Sequence, residues 1–307
     1  MLACGGCLLK KARCLAQSGG TSRQKARLIE ALRDDCCLSD LLKVSGMPKS
    51  VFYYQRAKLE SDDKYAELKL RIATLYHQHK GRYGYRRITA ALKPVGVHHN
   101  HKLIAKLMRQ MTLSAKIRRK KYRSYKGVQG KIVKNHLKRL FHADQPHKRW
   151  LTDITEFKVG DSKLYLSPIL DCYNNEVVSY TISRRPTYDL VSQMLDCALT
   201  KTKACRDKRL MLHSDQGWHY QMAQFSATLK YHGIKQSMSR KGNCLDNALM
   251  EGFFGTLKCE TIYIEKPQTI EQLEQQIHEY IHYYNNERIQ LKLKGLSPVQ
   301  YRTQSLD

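Results

Sequence analysis

No stretch of this chain approaches the roughly 18 consecutive apolar residues that a membrane-spanning helix needs. The opening residues, MLACGGCLLKK, hold an apolar run too short for a signal peptide, and their basic residues follow it instead of preceding it. These absences predict a soluble protein of the cytoplasm. Regularly spaced cysteines are also missing: ten are scattered through a chain long enough to fold without disulfides. They read as reduced thiols. Cys4 and Cys7 form a Cys-x-x-Cys, but no second pair of Cys or His follows at zinc-finger spacing, so free thiols are expected there. No internal repeat is evident. Acidic side chains are scarce, 27 against 54 basic, for a net charge of +27. That excess points to a polyanionic partner, nucleic acid ahead of an anionic membrane surface.

The charge is unevenly placed. Residues 1–115 carry 22 basic and 8 acidic side chains, 116–149 carry 13 basic and one acidic (Asp144), and the remainder carries 19 and 18. Thus +26 of the +27 lies before residue 150, which predicts a front that holds DNA and a nearly neutral back with another task.

Residues 23–35 have the apolar spacing of a helix, and LSDLLKVSG and PKSVFYYQRAKL read as two short helices across a Gly46-Met47 turn. With Lys49, Ser50, Tyr53 and Arg56 on the second, the pair matches a helix-turn-helix over 23–60 whose recognition helix meets DNA, though a plain helical hairpin has the same pattern. Residues 61–115 read as a second helical unit, broken at Lys93-Pro94 and Gly96, and Lys102, Lys106 and Arg109 make it a DNA-binding candidate or a spacer. Residues 116–149 read as a basic linker able to neutralise many phosphates, and residues 1–22 carry no assignment.

From Trp150 the composition changes. WLTDITEFKV, KLYLSPILD and EVVSYTIS are β-rich runs separated by turn signals. Helix, short strand, helix, short strand and helix follow, giving β-β-β-α-β-α-β-α, the order of a ribonuclease-H-like α/β core (150–262) behind an all-α front. A last helix and tail occupy 263–307.

Within that core, Asp153 lies between Leu151 and Ile154 in a strand, where a carboxylate is costly unless it meets a metal or a cation. Asp215 ends the strand RLMLHSD just before Gly217, where functional groups of open α/β sheets emerge. Glu251 follows after 35 intervening residues, in a helix opened by Asp246. Taken singly, each has a plain explanation: a buried salt bridge, a turn former, a helix-surface charge. Taken together they suit phosphodiester chemistry, in which two Mg²⁺ ions about 3.5–4 Å apart neutralise the entering and leaving oxygens and a few carboxylates suffice as ligands.

The segments WLTDITEF, HSDQGWHY and DNALMEGFFGTLK closely resemble the catalytic core of bacterial insertion-sequence transposases of the insertion-sequence-three family, whose second reading frame encodes an integrase-like core with a D, D, 35-residue gap, E signature. The resemblance runs from about Lys25 through Tyr301 and includes YGYRRI and HYYNNERIQLKLKGLSPVQYR. It implies Asp153, Asp215 and Glu251 as catalytic residues and ligands of Mg²⁺, with Mn²⁺ able to substitute. It also implies cleavage at element 3′ ends and strand transfer into double-stranded DNA without a covalent protein–DNA intermediate, by a homo-oligomer near the bacterial nucleoid. The family carries a basic residue seven positions after the glutamate, here Lys258, which a helix returns to within about 20° of Glu251. Asn247, Arg240, Lys241 and Asn243 are DNA-facing by the same logic. Glu156 and Asp171 are read as structural neighbours. One departure stands out: the family's full transposase generally gains a helix-turn-helix and a leucine zipper from an upstream frame, and no heptad series precedes Lys25. An upstream-frame fusion partner is therefore expected for selective recognition of the element ends.

Competing readings have less support. A tyrosine recombinase needs an Arg-His-Arg set beside a nucleophile such as Tyr283, Tyr284 or Tyr301, and no such set is evident. His77-Gln78-His79 imitates a His-x-His nuclease without a metal partner. A catalytically inert DNA-binding repressor, or a decayed remnant of such an element, is the main alternative, opposed by the intact triad.

Overall fold

In a computed structural model, the structure describes residues 21–34, 36–60, 63–116, 133–203, 209–240 and 244–304. Cys4 and Cys7, nearly half of the basic linker, Lys241 and Asn243 lie outside the described residues. Two compact units meet in sequence between Arg71 and Ile72.

The first unit contains α1 (Ser22–Ala31), α2 (Leu38–Ser45) and α3 (Lys49–Glu60). Thr21 and Gln24 close a capping box at the start of α1. Gly46 ends α2 in the left-handed region (φ 63°), and Met47 N–H donates back to Leu42 O at 3.2 Å. That glycine turn lets Ala26, Ile29, Leu41, Leu42, Met47 and Phe52 bury against one another. Helix α4 (Ala66–Gln78) spans the divide.

The second unit begins with the end of α4, then α5 (Tyr85–Leu92) and α6 (His101–Gln110), which Asn100 caps by accepting from Lys102 N–H at 2.9 Å. Then comes the sheet: β1 (Arg149–Thr152), β2 (Thr155–Val159), β3 (Ser162–Asp171), β4 (Val177–Ser183), β5 (Met211–Ser214) and β6 (Lys235–Met238). Its order is β2-β3-β1-β5-β6, with β4 also on β3. Both β1 and β2 pair antiparallel with β3, β1 opposite Ile169–Asp171 and β2 opposite Ser162–Leu166. They are one run interrupted at Asp153-Ile154, so Asp153 sits at a break, where the sequence reading has it mid-strand. Strands β1, β5 and β6 run parallel. Three antiparallel strands leading into a parallel pair is the ribonuclease-H-like arrangement.

Side-chain alternation gives the sheet two buried faces. Trp150 and Ile169 point to one, covered by α7 (Tyr188–Lys201), α8 (Trp218–Gln221) and α9 (Ala223–Tyr231). Leu151 and Leu170 point to the other, covered by α10 (Ala248–Glu260) and α12 (Ile270–Asn286), with α11 (Ile262–Glu265) between them and α13 (Pro298–Gln304) closing the chain. Helix α10 therefore lies on the sheet through Met250, Phe253, Phe254 and Leu257.

Candidate active site

Register brings two of the carboxylates side by side. Leu151 of β1 pairs with His213 of the parallel strand β5. Asp153 and Asp215 each follow two residues later, so both leave the carboxyl ends of neighbouring parallel strands. Each is half-buried and locally braced. Asp153 Oδ1 accepts from the Ile154 N–H at 2.8 Å, and Asp215 Oδ1 accepts from the Gly217 N–H at 2.8 Å. A Cβ on Gly217 would stand 2.9 Å from that same Oδ1, so a side chain there would displace the Asp215 carboxylate. Glu251 lies in the first turn of α10, whose apolar face fixes it over the sheet.

The electrostatics follow from this placement. Burial pushes the Asp153 carboxyl well above the usual range, and the charges of Asp215 and then Glu251 push it further, against the Ile154 N–H and Lys258. Burial also raises Asp215, against the Gly217 N–H and His219. Among the described residues no three ligand-type side chains already form a closed metal cluster. The three carboxylates share a field but stand apart.

Asn247 is buried and donates from Nδ2 to Asp153 Oδ2 at 3.2 Å, while its buried Oδ1 has no hydrogen-bond partner among the described residues. Lys258 Nζ donates to the Glu156 carbonyl at 2.9 Å and lies 5.1 Å from the centre of the Phe157 ring. Glu156 itself accepts from Lys163 and Tyr165, and the buried Asp171 accepts from the His147 and Tyr173 N–H groups, so both serve as structural acceptors. In the first unit Lys49, Ser50 and Tyr53 are exposed on α3, whereas Arg56 is half-buried and pairs with Glu30 at 3.4 Å.

Asp246 differs from its expected part as a helix opener. It precedes α10, in a 3₁₀ turn over Cys244–Asn247, and is fully buried. Its carboxylate accepts from Arg240 (Nε 2.9 Å, Nη2 3.1 Å, backbone N 3.1 Å), Arg139 Nε (3.1 Å) and Asn135 Nδ2 (2.9 Å). Those hydrogen bonds, led by Arg240, hold its carboxyl far below the ordinary range despite burial. Arg240, nominated for DNA, thus also anchors the turn that delivers Asn247 and Glu251. Nearby, Ser237 Oγ accepts from the His136 and Leu137 N–H groups and meets His213 Nδ1 at 2.9 Å, while His213 Nε2 meets Ser239 Oγ at 3.0 Å. Burial lowers the His213 pKa to about 4, so the ring is neutral. Exposed Trp218, three residues past Asp215, stacks on buried His219 at 3.7 Å. Sequence reasoning misses Asp246 and this His-Ser bridge. The only local signal for Asp246 is an acid flanked by Arg240 six residues earlier.

Comparison with known proteins places these features. The family described as an integrase core domain matches residues 143–244 and, in a second form, 251–306, and an HTH-like domain matches residues 62–121. A protein of Escherichia coli (strain K12) assigned as transposase InsK for insertion sequence element IS150 is 49% identical over 279 residues, covering 91% of this chain and 98% of that protein. The transposase for insertion sequence element IS904 of Lactococcus lactis is 37% identical, covering 75% and 91%. Transposase InsF for insertion sequence IS3A of Escherichia coli is 34% identical, covering 76% and 82%. Among solved structures, the HTLV-2 integrase catalytic core domain in complex with magnesium (trimeric form) is similar at a TM-score of 0.41 and 18% identity, over 52% of this chain and 98% of that one. That likeness is too loose to weigh beside the others. With an integrase core behind helical domains and near-full-length similarity to InsK, the chain belongs to the insertion-sequence-three family of transposases.

Proposed function

We propose that this chain is a DDE transposase that cleaves DNA at the ends of an insertion sequence and joins them to target DNA, with Asp153, Asp215 and Glu251 as its catalytic carboxylates. The observation that carries the reading is the placement of two carboxylates at adjacent parallel strand ends with a third on the helix over them, Asp153 being raised by burial first and then by both others. Three acids with so little compensation are unfavourable unless a cation joins them. All-oxygen donors fit a hard divalent ion, Mg²⁺ or Mn²⁺, and two such ions suit polynucleotidyl transfer. When bound, they neutralise charge on the entering and leaving oxygens of an in-line displacement.

The chain's own residues do the rest. Asn247 steadies Asp153 through its amide N–H. Lys258, about two turns beyond Glu251, brings a positive charge into the field of Asp153, where it favours a phosphate beside the carboxylates. Arg240 contacts the DNA backbone, and Lys241 and Asn243, which lie outside the described residues, are assigned the same role from the sequence. Lys49, Ser50, Tyr53 and Arg56 serve as duplex contacts of the front helix-turn-helix, acting in a homo-oligomer assembled on DNA.

The test replaces Asp153 and Asp215 with Asn and Glu251 with Gln, one at a time. Each variant is expected to lose Mg²⁺-dependent strand cleavage and joining by about 10³-fold or more, with duplex binding within about twofold of the parent. Wild-type activity in any one variant removes that residue from the set.

A further inference from the structure

The segment Gly81-Arg82-Tyr83-Gly84-Tyr85-Arg86-Arg87 lies well before the core in sequence, and the catalytic chemistry above makes no use of it. Lys80 and Gly81 turn the chain through positive φ (51° and 75°), and Arg82 is then buried against the far end of α10, the helix that carries Glu251 in its first turn. Its Nε donates to the backbone carbonyl of Glu260, the last residue of α10, at 3.1 Å, and its Nη2 pairs with Glu265 at 2.9 Å. The guanidinium also lies 4.8 Å from the centre of the Tyr283 ring. A cation on a terminal helix carbonyl is favourable in itself, since that end carries partial negative charge.

The Glu260 side chain is gripped as well. Arg288 reaches both of its oxygens (2.8 and 2.6 Å), Tyr280 donates at 3.0 Å, and Arg87 stands at 3.6 Å. Nine residues separate Glu251 from Glu260, which turns a helix by about 900° and puts the two carboxylates on opposite faces. A grip on one face therefore sets the rotation that aims the other. The apolar contacts of α10 hold it on the sheet but have no directionality of their own. The fork of an arginine does have direction.

We infer that Arg82 and Arg87 are positioning residues: through the carbonyl and carboxylate of Glu260 they fix the axial and rotational setting of α10, and so place Glu251 against Asp153 for the divalent ion. On this view the core is completed by a segment of the preceding helical region, and the inference rests on the metal role proposed for Glu251.

The experiment titrates Mn²⁺ into the full chain and counts free ion by its paramagnetic signal, well below the melting temperature of every variant. Arg82→Ala is expected to raise the Mn²⁺ dissociation constant about fivefold or more, and Arg82→Lys to recover part of the loss. Leu199→Ala, which opens a cavity on the opposite face of the sheet, supplies a comparable fall in melting temperature and is expected to leave Mn²⁺ affinity unchanged. Wild-type affinity in Arg82→Ala, or equal weakening in Leu199→Ala, overturns the positioning role. A parallel titration of Glu251→Gln separates the two claims. Loss there without loss in Arg82→Ala removes only the coupling, and no loss in either removes the metal reading and the coupling with it.

Discussion

Glu251 and Glu260 stand nine residues apart on one helix, and the charges around them differ in sign. At the first end, Asp153 feels Asp215 and Glu251, with Lys258 opposing them, and its carboxyl is driven up. At the other end, Glu260 is buried, yet Arg288, Arg87 and Tyr280 hold it below the usual range. Asp246, just ahead of the helix, is of this second kind, satisfied by Arg240, Arg139 and Asn135. Burial does not explain the difference, since the more deeply buried Asp246 and Glu260 are the ones held low and the half-buried Asp153 is the one driven up. What separates them is whether the protein supplies the countercharge or leaves it to come from outside. A buried acid with its own arginines is architecture, and one surrounded by other acids is kept for a cation.

The sharpest way to break this comparison is to remove one acid of each kind. Glu260→Gln leaves Arg288 buried without its partner and is expected to cost about 3–5 kcal/mol of stability, since the surviving charge is uncompensated. The second unit should then melt on the order of 10 °C lower. Glu251→Gln should do the reverse, abolishing strand transfer with little change in melting. Denaturant melts and a joining assay on both variants decide it. If Glu260→Gln is as stable as the parent, the arginine cluster is ornamental and the distinction fails.

Much of this arrangement is legible before any coordinates. The alternation of WLTDITEF and KLYLSPILD implies a buried sheet, and two acids at strand ends with a third 35 residues on suggest a joint task. Gly46 marks the front turn correctly, because a left-handed cap needs glycine there. The distinction between Glu251 and Glu260 is invisible in sequence, since both sit on one helix and the arginines that separate them come from residues 82–87 and 288. Asp246 is misjudged for the same reason: its partners Asn135 and Arg139 are more than a hundred residues away. The break between β1 and β2 also escapes pattern reading, because TDIT keeps strand-like alternation while Asp153 turns its oxygen to the Ile154 N–H.

A smaller effect appears in acid. His213 and His79 are each lowered to about 4 by burial, so the unfolded chain binds their protons first. Their contribution is present above the unfolded histidine value near 6.5 and is lost as pH falls from there toward 4. Asp246 and Glu260 are lowered carboxylates, so their stabilisation persists through that window and is lost only below the ordinary carboxylate range. Stability measured in urea should therefore fall in two stages. His213→Gln, which keeps a neutral polar side chain beside Ser237 and Ser239, should shrink the first stage, leaving the part due to His79, and should leave the second unchanged. A single decline confined below pH 4 contradicts the buried neutral imidazoles.

The last test has the smallest effect and bears most directly on the open charges at the site. If Asp153 is held against burial and two neighbouring acids, neutralising it should make the ion-free protein more stable, the opposite of what replacing a buried polar residue usually does. Asp153→Asn retains the shape and can still accept from the Ile154 N–H. The facing amide of Asn247 has an idle Oδ1, so turning it over offers the new amide an acceptor at no loss. The expected gain is about 0.5–2 kcal/mol in a chelator-treated sample at neutral pH, in the range by which catalytic residues commonly depress stability. Two conditions separate this from a packing effect. In acid the gain should vanish, because the wild-type Asp153 is then protonated and equally neutral. With Mg²⁺ in excess the order should reverse, because the wild type gains RT ln(1 + [L]/Kd), about 2.7 kcal/mol at a hundredfold excess over Kd, and the neutral amide of the variant can no longer hold the ion. A variant less stable than its parent in chelator would mean that Asp153 is already compensated within the chain, and the contrast with Glu260 would then be one of degree.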